Sequence, residues 1–179
     1  MNICIYGSAS KNLDSVYLEA CEKFGELLAK RGHGLVFGGS SRGLMGATAR
    51  GVKKAGGEVL GIVPRFFDEE GDVYEECDDY IYTETMGERK DLFRINADAF
   101  VILPGGIGTF DEFFETIVYK GLGQMSQSVV LYNVNGYYDK LEEFMQISID
   151  QKFVRVHEGQ LYEVLDQAEA ILDFIEQDA

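Results

Sequence analysis

The sequence predicts an α/β protein built on a mainly parallel sheet, and two observations carry the prediction. Short apolar runs that stop at small or polar residues alternate with stretches of helical periodicity, and a glycine-bearing turn recurs where a run gives way to a helix. A chain of 179 residues buries a core without staples, so residues 1-179 are read as one domain.

The first strand is Asn2 to Tyr6, and it ends at Gly7-Ser8-Ala9-Ser10. A helix from about Asp14 to Lys30 follows, with Val16, Ala20, Phe24, Leu27 and Leu28 as its inner stripe. Leu35-Val36-Phe37 is the second strand, and after Gly38-Gly39-Ser40-Ser41-Arg42-Gly43 a helix runs from Leu44 to Ala55. The third strand, Val59 to Val63, is stopped by Pro64. From there to Asp79 the chain is strongly acidic, which describes either a solvated loop or a mobile lid over a crevice. Tyr80 to Tyr82 is a short fourth run.

Thr85 and Glu88 have the spacing of a capping box and open a helix on which Arg89, Leu92, Phe93 and Asn96 share one stripe. Arg89 therefore points inward. A buried guanidinium needs an anion, supplied either by a carboxylate of the chain or by a ligand. Arg89 and Lys90 also lie where the helix dipole disfavours cations by up to about 1 kcal/mol unless an anion is near.

The chain is organised around Val101-Ile102-Leu103-Pro104-Gly105-Gly106-Ile107-Gly108-Thr109-Phe110-Asp111-Glu112, read as strand, loop and helix start. The glycines permit close backbone approach, and Thr109 is placed to cap a helix whose free N–H groups attract an anion. Glu112 is open to two readings: a capping-box partner of Thr109, or a carboxylate serving whatever the loop holds. Phe110, Phe113, Phe114 and Ile117 form the expected core stripe, which turns Glu112, Glu115, Thr116 and Tyr119 to the other face. Val129 to Tyr132 and Leu161 to Leu165 read as strands and Tyr138 to Gln151 as a helix. Ala168 to Glu176 closes the chain as a helix with Ala168, Ile171, Leu172 and Ile175 inward.

In open parallel sheets ligands bind beyond the carboxyl ends of the strands. Gly7-Ser8, Gly38-Gly39 and Gly105-Gly106 each follow a strand, so the three loops are expected to meet at one crevice that takes a small anion. The net charge of -15 argues against nucleic-acid binding. There is no G-x-G-x-x-G in the first loop, no G-K-[ST], and no acidic end to the second strand, which argues against an NAD enzyme or a P-loop phosphotransferase. Cys4, Cys21 and Cys77 lack metal-ligand spacing and suit reduced thiols in a cytoplasmic protein without a metal site. With no apolar stretch of membrane-spanning length and no leader-like N-terminus, a soluble chain with no membrane contact is expected. His33 and His157 stand outside any ligand spacing.

These motifs resemble those of the Lonely Guy family, cytokinin riboside 5'-monophosphate phosphoribohydrolases whose relatives were often labelled possible lysine decarboxylases. The family signature P-G-G-x-G-T-x-x-E is matched by Pro104, Gly105, Gly106, Gly108, Thr109 and Glu112, and its arginine-lysine pair by Arg89 and Lys90. Gly38-Gly39 with Gly43-Leu44-Met45-Gly46, the segment from Gly56-Gly57 to Pro64, and Asn133 to Tyr138 are similar as well. The resemblance implies a Rossmann-like, doubly wound sheet with helices on both faces, a homodimer with sites near the subunit interface, and no metal or other cofactor. It implies hydrolysis of the N-glycosidic bond of an adenine nucleotide to free base and ribose 5-phosphate. Arg89 and Glu112 are then the catalytic pair, and Lys90, Gly106, Ile107, Gly108 and Thr109 help bind the nucleotide. With Gly105, Gly7, Ser8, Gly38, Gly39 and Met45 they complete the expected nucleotide-binding set. The rival reading is a carrier or sensor of the same superfamily that holds a nucleotide or phosphorylated cofactor without cleaving it.

The chain departs from the family pattern at Val118-Tyr119-Lys120-Gly121-Leu122-Gly123 and in the acidic stretch after Pro64, where a family glutamate contact is not assignable between Glu69 and Glu70. Both departures are expected near the base, which makes plain AMP a substrate to weigh beside an N6-substituted nucleotide. No residue marks a pyridoxal phosphate lysine, so the decarboxylase label gains no support.

Overall fold

The computed structural model describes residues 1–68, 72–154 and 161–178. In chain order the elements are β1 (Asn2–Tyr6), α1 (Ser15–Lys30), β2 (Gly34–Phe37), α2 (Gly43–Lys54), β3 (Val59–Pro64), the single turn α3 (Arg65–Asp68) and β4 (Asp79–Thr83). They continue with α4 (Met86–Asn96), β5 (Ala99–Ile102), α5 (Ile107–Gly121), β6 (Ser128–Tyr132), a 3-10 turn at Val134–Gly136, α6 (Asp139–Asp150), β7 (Glu163–Leu165) and α7 (Ala168–Gln177). The seven strands form one parallel sheet in the order β4-β3-β2-β1-β5-β6-β7. This is a Rossmann-like, doubly wound α/β fold.

The period-two alternation of the strands explains why helices cover both faces. Ile3 and Ile5 of β1, with Ala99 and Val101 of β5, pack under α1, α2 and α7. Cys4 and Tyr6, with Phe100 and Ile102, pack on the other face under α4, α5 and α6. The chain winds outward from β1 to β4, returns through α4 to place β5 beside β1, and then winds the other way. A crevice is left at the carboxyl ends of β1 and β5, where the direction reverses.

Three details of the sequence reading are corrected. Val16 is exposed, because the inner stripe of α1 runs through Cys21, Phe24, Gly25 and Leu28. Phe114 is also exposed: it follows Phe113 by about 100° around the helix, so the two rings cannot both face the sheet. The buried stripe of α5 is instead Thr109, Glu112, Phe113, Thr116 and Ile117, which turns Glu112 and Thr116 inward. Among the described residues no helix is long and apolar enough to cross a membrane.

Helices α1 and α2 lie against each other through glycine. A Cβ at Gly25 would sit 2.2 Å from the Thr48 carbonyl oxygen, a backbone atom that cannot swing aside. Gly25→Ala is therefore expected to destabilise the fold by about 1–3 kcal/mol, the range for overpacking, measured as a lower urea midpoint at unchanged slope.

Candidate functional site

The crevice is a cleft of about 420 Å³. Gly7, Ser8 and Ala9 after β1, Gly38, Gly39 and Ser40 after β2, and Gly106, Gly108 and Thr109 at the start of α5 all line it, as do Met45, Arg89 and Glu112. The three glycine loops thus converge as expected.

Arg89 is buried, 5% exposed, and the backbone was shaped to receive it. Its Nε donates to the Ile62 carbonyl at 3.2 Å and its Nη2 to the Gly38 carbonyl at 3.3 Å. A Cβ on Gly38 would fall 1.9 Å from that Nη2, so the glycine makes room for the guanidinium. Phe93, one turn on, lies beneath it with its ring centre 5.0 Å from Cζ. Nη1 is left with the soft Met86 sulfur at 3.9 Å and Glu112 Oε1 at 3.5 Å. Both contacts are long for a charge-assisted hydrogen bond, so Nη1 is the part of the arginine with capacity for a ligand.

Glu112 is 9% exposed and faces the cleft from the second turn of α5. The two sequence readings of Arg89, internal ion pair and ligand group, therefore meet in one pair at the cleft wall. Burial pushes the Glu112 carboxyl up to about 7, and the nearby Arg89 guanidinium offsets only part of that rise. Burial likewise holds Arg89 below its ordinary value while Glu112 opposes the shift.

The capping-box reading of Glu112 is overturned. Helix α5 starts at Ile107 with Gly106 as N-cap and no side-chain cap, and Thr109 lies inside the first turn. The Thr109 side chain packs on Gly105, where a Cβ would meet Thr109 Oγ1 at 2.1 Å. Thr85 does cap α4, accepting from the Glu88 amide at 3.1 Å, while the Glu88 carboxylate takes the Glu84 amide.

The amides show where an anion would sit. At α2 the N–H groups of Leu44 and Met45 already point at the Ser8 carbonyl. At α5 those of Ile107, Gly108 and Thr109 make no hydrogen bond among the described residues, and the first helical bond comes from Phe110 to Gly106. The loop before them is clamped by Tyr137 and Tyr138, whose hydroxyls donate to the carbonyls of Gly105 at 2.6 Å and Leu103 at 2.7 Å. A fixed set of free amides at a helix start can seat an anion.

Some expected residues lie elsewhere. Lys90 points along the outside of α4 and α5 to Asp111 and Glu115, 3.2 Å from each, because it is turned about 100° from Arg89. The Ile107 side chain is 85% exposed, so only its amide belongs to the site, and Gly105 packs against Thr109 without lining the cleft. None of residues 118–123 is among those lining the cleft of the single chain. His33 is buried against Glu176, with Nε2 2.8 Å from Oε1. The readings of His157, Glu69 and Glu70 fall outside the described residues.

Other lining residues were not singled out: Val63, Phe67, Met86, Asp72 and Val73. Met86 was visible as Arg89 minus three, one turn up the same helix face. The 72–74 segment crosses the second loop as an antiparallel bridge, Ser40 to Val73, with the Ser41 amide on the Asp72 carbonyl and the Tyr74 amide on the Gly39 carbonyl. Asp72 also pairs with Arg42. This end of the acidic stretch is a strap tied to the site, and short-range patterning gives no signal for such a pairing.

A family model described as possible lysine decarboxylase matches residues 45–175. Two Arabidopsis thaliana proteins named cytokinin riboside 5'-monophosphate phosphoribohydrolase are similar to the chain. One is 38% identical over 85% of this chain and 71% of its own length, the other 34% identical over 97% and 76%. Among solved structures, the molybdenum cofactor carrier protein of Chlamydomonas reinhardtii matches with a TM-score of 0.75 at 22% identity, covering 99% of this chain and 96% of its own. The protein TM1055 matches with a TM-score of 0.75 at 26% identity, over 98% of both chains.

The shift on Glu112 has a stability consequence. The folded chain holds the proton more tightly than an ordinary glutamic acid of 4.5, so the stabilisation is full below pH 4.5 and is lost as pH rises through about 7. Glutamine mimics the protonated form at every pH. Glu112→Gln should therefore gain on the parent between pH 4.5 and pH 8, by up to roughly 3 kcal/mol, in urea unfolding across that range. A difference that does not change with pH would refute the buried, proton-seeking carboxyl.

Proposed function

We propose a function for this chain, which belongs to the Lonely Guy family: it hydrolyses the N-glycosidic bond of an adenine nucleoside 5'-monophosphate, AMP or an N6-substituted relative, releasing free base and ribose 5-phosphate. The observation that carries the proposal is the buried Arg89 and Glu112 pair beside the unpaired amides of α5. The similarity to the two Arabidopsis phosphoribohydrolases supports the same reaction.

The chemistry follows from charge. As the C1'–N9 bond breaks, positive charge develops on the ribose, and a fixed carboxylate beside it stabilises that state while water adds to C1'. Glu112 supplies the carboxylate. Arg89 Nη1 holds the ribose or phosphate in register, and the amides of residues 107–109 take the phosphate. Binding energy from the phosphate is thereby available to orient the reacting carbon, so a nucleoside without phosphate should be a poor substrate.

The proposal extends to a homodimer in the cytoplasm. The exposed apolar side chains Ile95 of α4, Val118 of α5 and Leu122 just after α5 support a partner surface there. Light scattering should return twice the mass of the 20.0 kDa chain.

The deciding assay incubates the purified protein with AMP and with N6-isopentenyl AMP and separates the products. Wild type should release base and ribose 5-phosphate, Glu112→Gln should lose about two orders of magnitude or more in kcat, and the ratio between the two nucleotides ranks the substrates. No release with nucleotide still bound would replace the hydrolase with a carrier or sensor. Because the ionised carboxylate is the active form, kcat/KM should rise with pH with a midpoint near 7. A fall over that range would make Glu112 a proton donor instead. Gly38→Ala displaces the Arg89 guanidinium and should lower kcat/KM about 100-fold in protein that still folds.

A further inference from the structure

We propose that Tyr6 is a positioning residue that sets the separation of Arg89 and Glu112, an inference that rests on the reading of those two as the reacting pair. Tyr6 ends β1 and is 2% exposed. Its hydroxyl lies 3.3 Å from Thr116 Oγ1, and Thr116 spends its own proton on the Glu112 carbonyl at 2.8 Å. The tyrosine is therefore the donor. Its ring meets Phe93 edge-on with centroids 5.5 Å apart, and Phe93 is the ring beneath the Arg89 guanidinium.

The two contacts have the same form. Phe93 is four residues after Arg89 and Thr116 is four residues after Glu112, so each lies one turn below a member of the pair on the same face. One side chain on the central strand thus props both helices, α4 through its ring and α5 through its hydroxyl. A phenylalanine would fill the same space among Phe93, Phe100 and Cys4 without burying a hydroxyl. The buried hydroxyl carries a desolvation penalty that its bond toward the turn of Glu112 offsets.

The charged and titratable groups whose charges act on Glu112 are Arg89 and, from the outer face, Lys90 of α4, Asp111 and Glu115 of its own helix, and Cys4 and Tyr6 of β1. Loosening the turn of α5 admits water, and because burial is the main cause of the raised Glu112 value, its midpoint should then fall.

The test uses Tyr6→Phe, Thr116→Val, Thr116→Ser and the Tyr6→Phe/Thr116→Val double variant, with two readouts. The first is kcat and KM for the nucleotide. The second needs no catalysis: the pH midpoint at which stability diverges from the same background carrying Glu112→Gln. Tyr6→Phe and Thr116→Val should each lower kcat about tenfold with KM within about twofold, and lower the midpoint. The double variant should be no worse than its worse parent, since the two hydroxyls act in series. Thr116→Ser should restore both readouts. If Tyr6→Phe loses stability but keeps its kcat and its midpoint, Tyr6 is ordinary core and the inference is overturned. Absence of turnover in the wild type would refute the hydrolase alone, and the midpoint would still decide the role of Tyr6.

Discussion

The structure depends on keeping two opposite charges out of water at the mouth of a parallel sheet. Removing a guanidinium and a carboxylate from solvent is costly, and a gap of 3.5 Å between them recovers only part of the loss. The remainder is met by backbone: the carbonyls of Ile62 and Gly38 receive two of the arginine's donors, and both belong to the ends of neighbouring strands. Burial makes the carboxyl seek a proton near neutrality, and among the described residues it has no comparable set of donors to offset that. An incompletely satisfied pair is poor for stability but well suited to a ligand that develops charge between its members.

Topology supplies the rest. Reversal of winding between β1 and β5 opens the crevice, and the same strands deliver its contents. β1 leads into Gly7 and Ser8, β5 into the amides of α5, and β2 into the glycine that Arg89 lies against. The second loop is not free to drift, because the 72–74 strap bonds to it at both Gly39 and Ser41. Tyr74 anchors the strap by burying its ring edge-on against Phe37, and Tyr80 donates to its carbonyl. The position of Arg89 is thus coupled through Gly38 to a segment that local sequence describes only as acidic.

Much of this was legible in the sequence where a single periodicity governs. The inward direction of Arg89 follows from its spacing to Phe93, and the three glycine loops follow from strand ends. The α5 stripe failed for a physical reason: hydrophobicity marks Phe113 and Phe114 alike, although only one can face the sheet, and it marks Glu112 as outward although the wall of a cleft is interior too. Thr109 invited a cap reading because sequence spacing cannot reveal that Gly106, with Ile107 after it, already starts the helix. Lys90 differs from Arg89 by one position, and that rotation exchanges the cleft for the acids of α5. Pairing of the strap with the second loop joins residues about thirty positions apart and has no local signature.

The stretch 118–123, where the chain departs most visibly from the family pattern, lies down α5 on its surface side, and Tyr119 there stacks on Arg94 at 3.9 Å. Arg94 also reaches Glu115 and Asp91, so Tyr119 belongs to a charged seam between α4 and α5. Val63, Phe67, Met86, Asp72 and Val73 together form one wall of the cleft. That wall is apolar apart from one carboxylate already engaged by Arg42, and it includes the strap that braces the arginine's loop. The strap that supplies Asp72 and Val73 to this wall is the segment bonded to Gly39 and Ser41, so anything in the cleft that displaced the wall would also load the loop against which Arg89 lies.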